Sequence, residues 1–152
     1  MVDEDQYRST YDTVNKRRCV FEKAVLTRRC HCSCSARLYL ADREGIACRA
    51  EQANARCKLL LKLLRDNARF ALKLTGSGDE LPHAKEIKVQ NGGLLGLQQL
   101  LQPEAPQDSV VDIAALTVRG VEVFGSIQQF PYQEIVKSIT RFEGRRRPRS
   151  RQ

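Results

Sequence analysis

The chain has 152 residues, of which 41% are hydrophobic and 29% charged, and a formal charge of +8. That length suits one compact domain with a small module attached, and such a domain buries roughly 68–70% of its unfolded surface, so disulfides are not needed to make up for a small core. No apolar run nears the roughly 18 residues that span a membrane, and Met1 to Thr10 has neither the basic nor the apolar part of an export signal, so a cytoplasmic protein without membrane attachment is expected.

Residues 1–18 form a polar N-terminal segment. Residues 19–57 hold all six cysteines, three of them in the run Cys30-His31-Cys32-Ser33-Cys34. Within this module Arg37-Leu38-Tyr39-Leu40 alternates as a strand does, Asp42 to Gly45 supplies a turn, and Ile46-Ala47-Cys48 forms the returning arm of a hairpin.

A helical domain follows over 50–144. The spacing of Cys57, Leu60, Leu61, Leu64, Ala68, Ala71 and Leu72 predicts a helix from about Glu51 to Leu74, with Lys58, Lys62, Arg65, Asp66 and Arg69 on its polar face. Thr75-Gly76-Ser77-Gly78 supplies the stop. Ile87 and Val89 alternate with charges, which predicts a short strand over Glu86–Gln90, and Asn91-Gly92-Gly93 reads as a turn. A short helix from Leu94 to Gln102 then ends at Pro103. Asp108 or Ser109 is placed to cap a helix that runs to about Val123, before Gly125. Pro131 opens the last helix, with Tyr132, Ile135, Val136, Ile139 and Phe142 on its buried face and Gly144 at its end. The fold expected is mostly α, a helical domain with a cysteine-rich N-terminal module that contains a short β-hairpin. A basic tail over 145–152 closes the chain.

The cysteines carry the only sharp chemical signal. In an extended segment Cys30, Cys32 and Cys34 point to one face, roughly 6.6 Å apart. One zinc ion needs its sulfurs about 2.3 Å from a common centre in a tetrahedron, which requires the chain to turn between ligands. A straight run therefore suits a larger object, an iron–sulfur cluster or two ions. Cys48 or Cys57 supplies the fourth ligand. The chain has neither paired zinc knuckles nor the common ferredoxin spacings. Arg28, Arg29, Arg49 and Arg56 are placed to offset thiolate charge. Cys57 serves equally well as a core residue on its stripe, and Cys19 stands apart from the run. His31 faces away from an extended thiol row and His83 lies in a loop; both are expected at the surface.

The function expected is a small metal-binding protein that holds an iron–sulfur cluster through Cys30, Cys32, Cys34 and Cys48 or Cys57. It would act in electron transfer, cluster or metal delivery, or sensing, with an acidic protein partner. A zinc-stabilised nucleic-acid-binding protein is the alternative, with Arg145, Arg146, Arg147, Arg149 and Arg151 holding phosphates or acidic side chains. A thiol-redox sensor, its thiols activated by neighbouring arginines, is the third reading. The glycines around Gly92-Gly93-Leu94-Leu95-Gly96 match no nucleotide-binding fingerprint, and no nucleophile–base pair can be read, so catalysis is not expected.

Overall fold

A computed structural model describes residues 10–11, 14–74 and 81–143. The arginines of the basic tail, Gly144 and the glycines proposed as a helix stop lie outside the described residues. Among the described residues, five helices and one hairpin follow in order: α1 (Glu22–Leu26), β1 (Ser35–Leu40), β2 (Arg43–Cys48), α2 (Glu51–Ala71), α3 (His83–Leu101), α4 (Ile113–Phe124) and α5 (Tyr132–Arg141), with a 3₁₀ turn at Ile127–Gln129 before α5. The protein is mostly α with one small antiparallel hairpin, as the patterning implied. Among the described residues no helix is long and apolar enough to cross a membrane.

The hairpin pairs Ser35 with Cys48 and Leu40 with Arg43, so Ala41 and Asp42 form its two-residue loop. Ala41 turns the chain at φ 50°. The stretch before α1 extends this small sheet: Arg18 bridges to Ala47, Cys19 donates its N–H to the Ile46 carbonyl at 2.9 Å and Cys48 donates to Arg17 at 2.8 Å. The cysteine-rich module and the helices share one core. Phe21, Val25 and Ile46 are buried in the same cluster as Leu60, Leu64, Leu94, Ile135 and Ile139.

Helix α3 is the axle of the fold and touches all four other helices. It runs unbroken through Glu86–Gln90 and Asn91-Gly92-Gly93, where a strand and a turn were expected. Glu86, Val89, Gln90, Gly93, Leu94 and Leu97 recur at helical spacing and are buried, but half of these positions are polar or glycine and so invisible to an apolar periodicity. The glycines cost about 1 kcal/mol each against alanine in a helix. Packing explains their presence. A Cβ on Gly92 would stand 2.6 Å from the Cα of Ile139, and one on Gly96 would stand 2.8 Å from the Cβ of Ser138. Two helices can approach this closely only where one of them has no side chain.

Glu86 is fully buried beneath this helix start and accepts from the Arg65 guanidinium, the Leu81 N–H at 3.1 Å and Gln90 Nε2 at 2.7 Å. Burial pushes its carboxyl up. The Arg65 hydrogen bond, then the other donors and the Arg65 charge, outweigh that and hold it below its ordinary value.

Helix α2 ends three residues earlier than the apolar spacing implied. The left-handed residue is Lys73, at φ 54°, not a glycine. The N–H of Lys73 donates to Phe70 at 3.2 Å and that of Leu74 to Arg69 at 2.9 Å, the two bonds of a Schellman stop. Helix α4 begins at Ile113 with Asp112 as its cap, its carboxylate accepting from the Ala114 N–H at 3.1 Å, so neither Asp108 nor Ser109 plays that part. Pro131 precedes α5, which buries Tyr132, Ile135 and Ile139, with Phe142 buried just beyond.

Candidate metal centre

The run of three cysteines is extended only in its first half. Over residues 29–31 the chain lies parallel to 110–113: Val110 donates its N–H to Arg29 at 2.8 Å, His31 donates to Val110 at 3.0 Å, and Ile113 donates to His31 at 2.8 Å. It then turns. Ser35 donates its N–H to the Cys32 carbonyl at 3.1 Å and its hydroxyl to the same oxygen at 2.7 Å, while the Ser33 N–H is held by Asp112 Oδ1 at 3.0 Å. The expectation that Cys30, Cys32 and Cys34 present one row of thiols therefore does not match the backbone.

The turn sends the sulfurs to different places. Cys30 is fully buried in the core, and its thiol donates to Asn91 Oδ1 at 3.3 Å on α3. Cys32 and Cys34 instead line a narrow cavity together with Cys19, Cys48 and Cys57. Five thiols thus come from four pieces of chain: the segment before α1, the turn before β1, the end of β2 and the second turn of α2. Val20, Phe21, Ala53 and Ile113 supply most of the remaining wall, with Asn54 at its edge. Asn54 Nδ2 donates to the Arg18 carbonyl at 3.1 Å and so fixes the Cys19 segment against α2.

Cys19, expected to stand apart, is a member of this group, and Cys30 is not. No local pattern announces either fact. The bridge between Arg18 and Ala47 that carries Cys19 to the cavity joins residues far apart in sequence.

All six cysteines are free thiols. Burial pushes the thiols of Cys19, Cys30 and Cys57 up to about 12. Cys32 is also raised by burial, although the N–H groups of Cys34 and Ala114 donate to its sulfur and pull the other way. The Phe21 N–H does the same for Cys19. Charge on Cys57 is felt by Cys19, Cys32 and Cys48, so these four lie within electrostatic reach of one another. Burial thus works against thiolate formation at Cys19, Cys30, Cys32 and Cys57. A bound cation changes the balance, since a coordinating thiol is deprotonated outright.

The four arginines expected around the thiolates divide in two. Arg49 donates from Nη2 to the Ser33 carbonyl at 2.8 Å and clasps the turn, and Arg56 adjoins Cys57 with its Nε buried and lacking a hydrogen-bond partner among the described residues. Arg28 instead pairs with Glu44, and Arg29 lies over the Phe142 ring at 4.7 Å. His31 and His83 are exposed.

The thiols surround the cavity without closing on a point. Among the described residues no three His, Cys, Asp or Glu side chains are grouped to hold a metal ion. A tetrahedral ion with sulfurs at about 2.3 Å would bring those sulfurs to within about 3.8 Å of each other. No protein-family model, curated protein or solved structure matches this chain.

Proposed function

We propose that this protein holds an iron–sulfur cluster in the cysteine-lined cavity and acts in electron transfer, cluster delivery or sensing with a protein partner. The ligands assigned are Cys19, Cys32, Cys48 and Cys57, with Cys34 adjoining as a fifth thiol. The observation that carries this reading is the convergence of five thiols from four separate elements on one apolar-walled cavity. Ordinary packing does not require it, because a free cysteine is satisfied in any small apolar niche. The cavity measures about 20 Å³, room for about one water, so a cluster requires its walls to part. The N–H donors on the sulfurs of Cys19 and Cys32 are of the kind that set the potential of such a cluster.

Zinc is the second reading. The turn from Cys32 to Ser35 removes the geometric objection to a single ion that a straight run would raise. Metal analysis and a visible spectrum, on protein purified without oxygen, separate the two. Iron with acid-labile sulfide and a brown colour supports the cluster. A colourless protein with one equivalent of zinc supports the second reading, and a protein with neither overturns both.

A further inference from the structure

Helix α2 and the stretch 16–23 leave a groove between them, in two adjoining parts. One, of about 410 Å³, is lined by Arg18, Lys23, Lys58 and Arg65 with Gln90 and Cys19 among its other walls. The second, of about 670 Å³, is lined by Lys16, Arg17, Arg18 and Lys58 with Glu51 and Asn54. Arg18 and Lys58 belong to both, so the parts are continuous. Glu51, Asn54, Lys58, Leu61 and Arg65 follow one another at helical spacing, and at 1.5 Å per residue they extend about 21 Å along one face of α2.

Positive charge dominates both walls. The buried carboxylate of Glu22 is occupied: it accepts from Arg18 at 2.6 Å, from the Ile46 N–H at 2.8 Å and from the Tyr11 hydroxyl. Arg65 is held by Glu86, which fixes its position at one end. Lys16, Arg17 and Lys58 are exposed and form no ion pair with another described residue. A concave track with cations on both sides focuses the field along its length and so suits a linear polyanion. Among the described residues no aromatic side chain lines either part, so none of these stacks on bases.

Both walls of the groove also supply residues to the cysteine cavity. Cys19 lines both the groove and the cavity, and Cys57 precedes Lys58 on α2. We propose that this groove binds the sugar–phosphate backbone of a nucleic acid without base preference, and that the group held by Cys19 and Cys57 clamps its walls at the binding width. The clamp rests on the cluster reading above; the groove does not.

The test uses the full chain purified without oxygen and a fluorescent mixed-sequence single strand of about 20 nucleotides, longer than one such site covers. Anisotropy is followed between about 50 and 200 mM salt, with iron and sulfide measured on the same samples. The expected result is binding whose logarithmic salt slope is about −2 to −4, for three to five phosphate contacts. Arg17→Glu with Lys58→Glu should keep the iron, weaken binding at least about tenfold and flatten the slope by about 1.4. Replacing the five arginines of the 145–152 tail by alanine should leave that effect of the groove variant in place.

Iron-loaded protein that fails to bind, or binding lost with the tail and indifferent to Arg17 and Lys58, overturns the groove. A poly-glutamate peptide that displaces the strand at equal charge concentration overturns the nucleic-acid assignment in favour of an acidic protein. Metal-free wild-type protein that still binds, with the same dependence on Arg17 and Lys58, upholds the groove and overturns the cluster reading. Cys19→Ser protein that has lost its iron and binds as well as wild type overturns the clamp alone.

Discussion

Replacing Gly92 by alanine tests the packing at the centre of the fold. In an isolated helix this change gains about 1 kcal/mol, because glycine is the poorer helix former. Here the new methyl would lie 2.6 Å from the Cα of Ile139 and 3.1 Å from both the Ser138 carbonyl oxygen and the Phe142 Cβ. Ordinary contact begins near 3.4 Å, so α3 and α5 must separate by most of an ångström along a shared face. The obstacle is mainly backbone and cannot rotate away. Overpacking of this kind costs about 1–3 kcal/mol, and a main-chain obstacle places Gly92→Ala at the upper end, for a net loss of about 2 kcal/mol after the propensity gain. For a chain of this size that lowers the melting temperature by about 4–8 °C. Gly93→Ala is the internal comparison. Its methyl meets the Leu64 side chain at 2.7 Å, and a side-chain tip shifts more readily than main chain, so this variant should lie closer to wild type. Circular dichroism melts of both variants decide the matter. A Gly92→Ala protein as stable as wild type, or more stable, would refute the close approach of α3 and α5.

Two further outcomes follow from single residues. Lys73→Gly relieves a left-handed lysine at the end of α2 and should raise stability by about 1 kcal/mol, read as a higher urea midpoint with unchanged slope; no gain would mean that the Schellman stop is not formed. Glu86→Gln leaves the mostly buried Arg65 without its charge partner and should cost about 3 kcal/mol at neutral pH. Because the Glu86 carboxyl is held below its ordinary value of 4.5, its contribution is complete above that value and is lost as pH falls through the depressed one. Wild-type stability should therefore fall below about pH 4.5 more steeply than that of Glu86→Gln, and parallel acid profiles would refute the assignment.

The parts of the fold legible in the sequence were those where burial follows an apolar period. Leu60, Leu61, Leu64 and Ala68 outline α2, and Tyr132, Ile135 and Ile139 outline α5. Helix α3 is hidden in the sequence because Glu86 and Gln90 break the apolar period of its buried face, and Asn91 with three glycines locally favours turns that the neighbouring helices override. The same holds for the site. The presence of a thiol cluster was plain, but its membership depends on a turn pinned by Asp112, from a segment far along the chain, and on the Cys19 strand joining β2. Neither contact is local, so spacing alone favoured Cys30 over Cys19.

The place of Cys19 in the cavity and of Cys30 outside it gives the most direct test of the proposed function. Cys19→Ser and Cys30→Ser proteins, purified without oxygen beside wild type, are compared for iron, acid-labile sulfide and visible absorption, with circular dichroism to verify folding. Cys19 lines the cavity and Cys30 bonds to Asn91 in the core, so colour and iron should be lost in the first variant and kept in the second. A folded Cys30→Ser protein that has lost its iron while Cys19→Ser retains it would contradict the account, as would a wild-type protein with no metal at all.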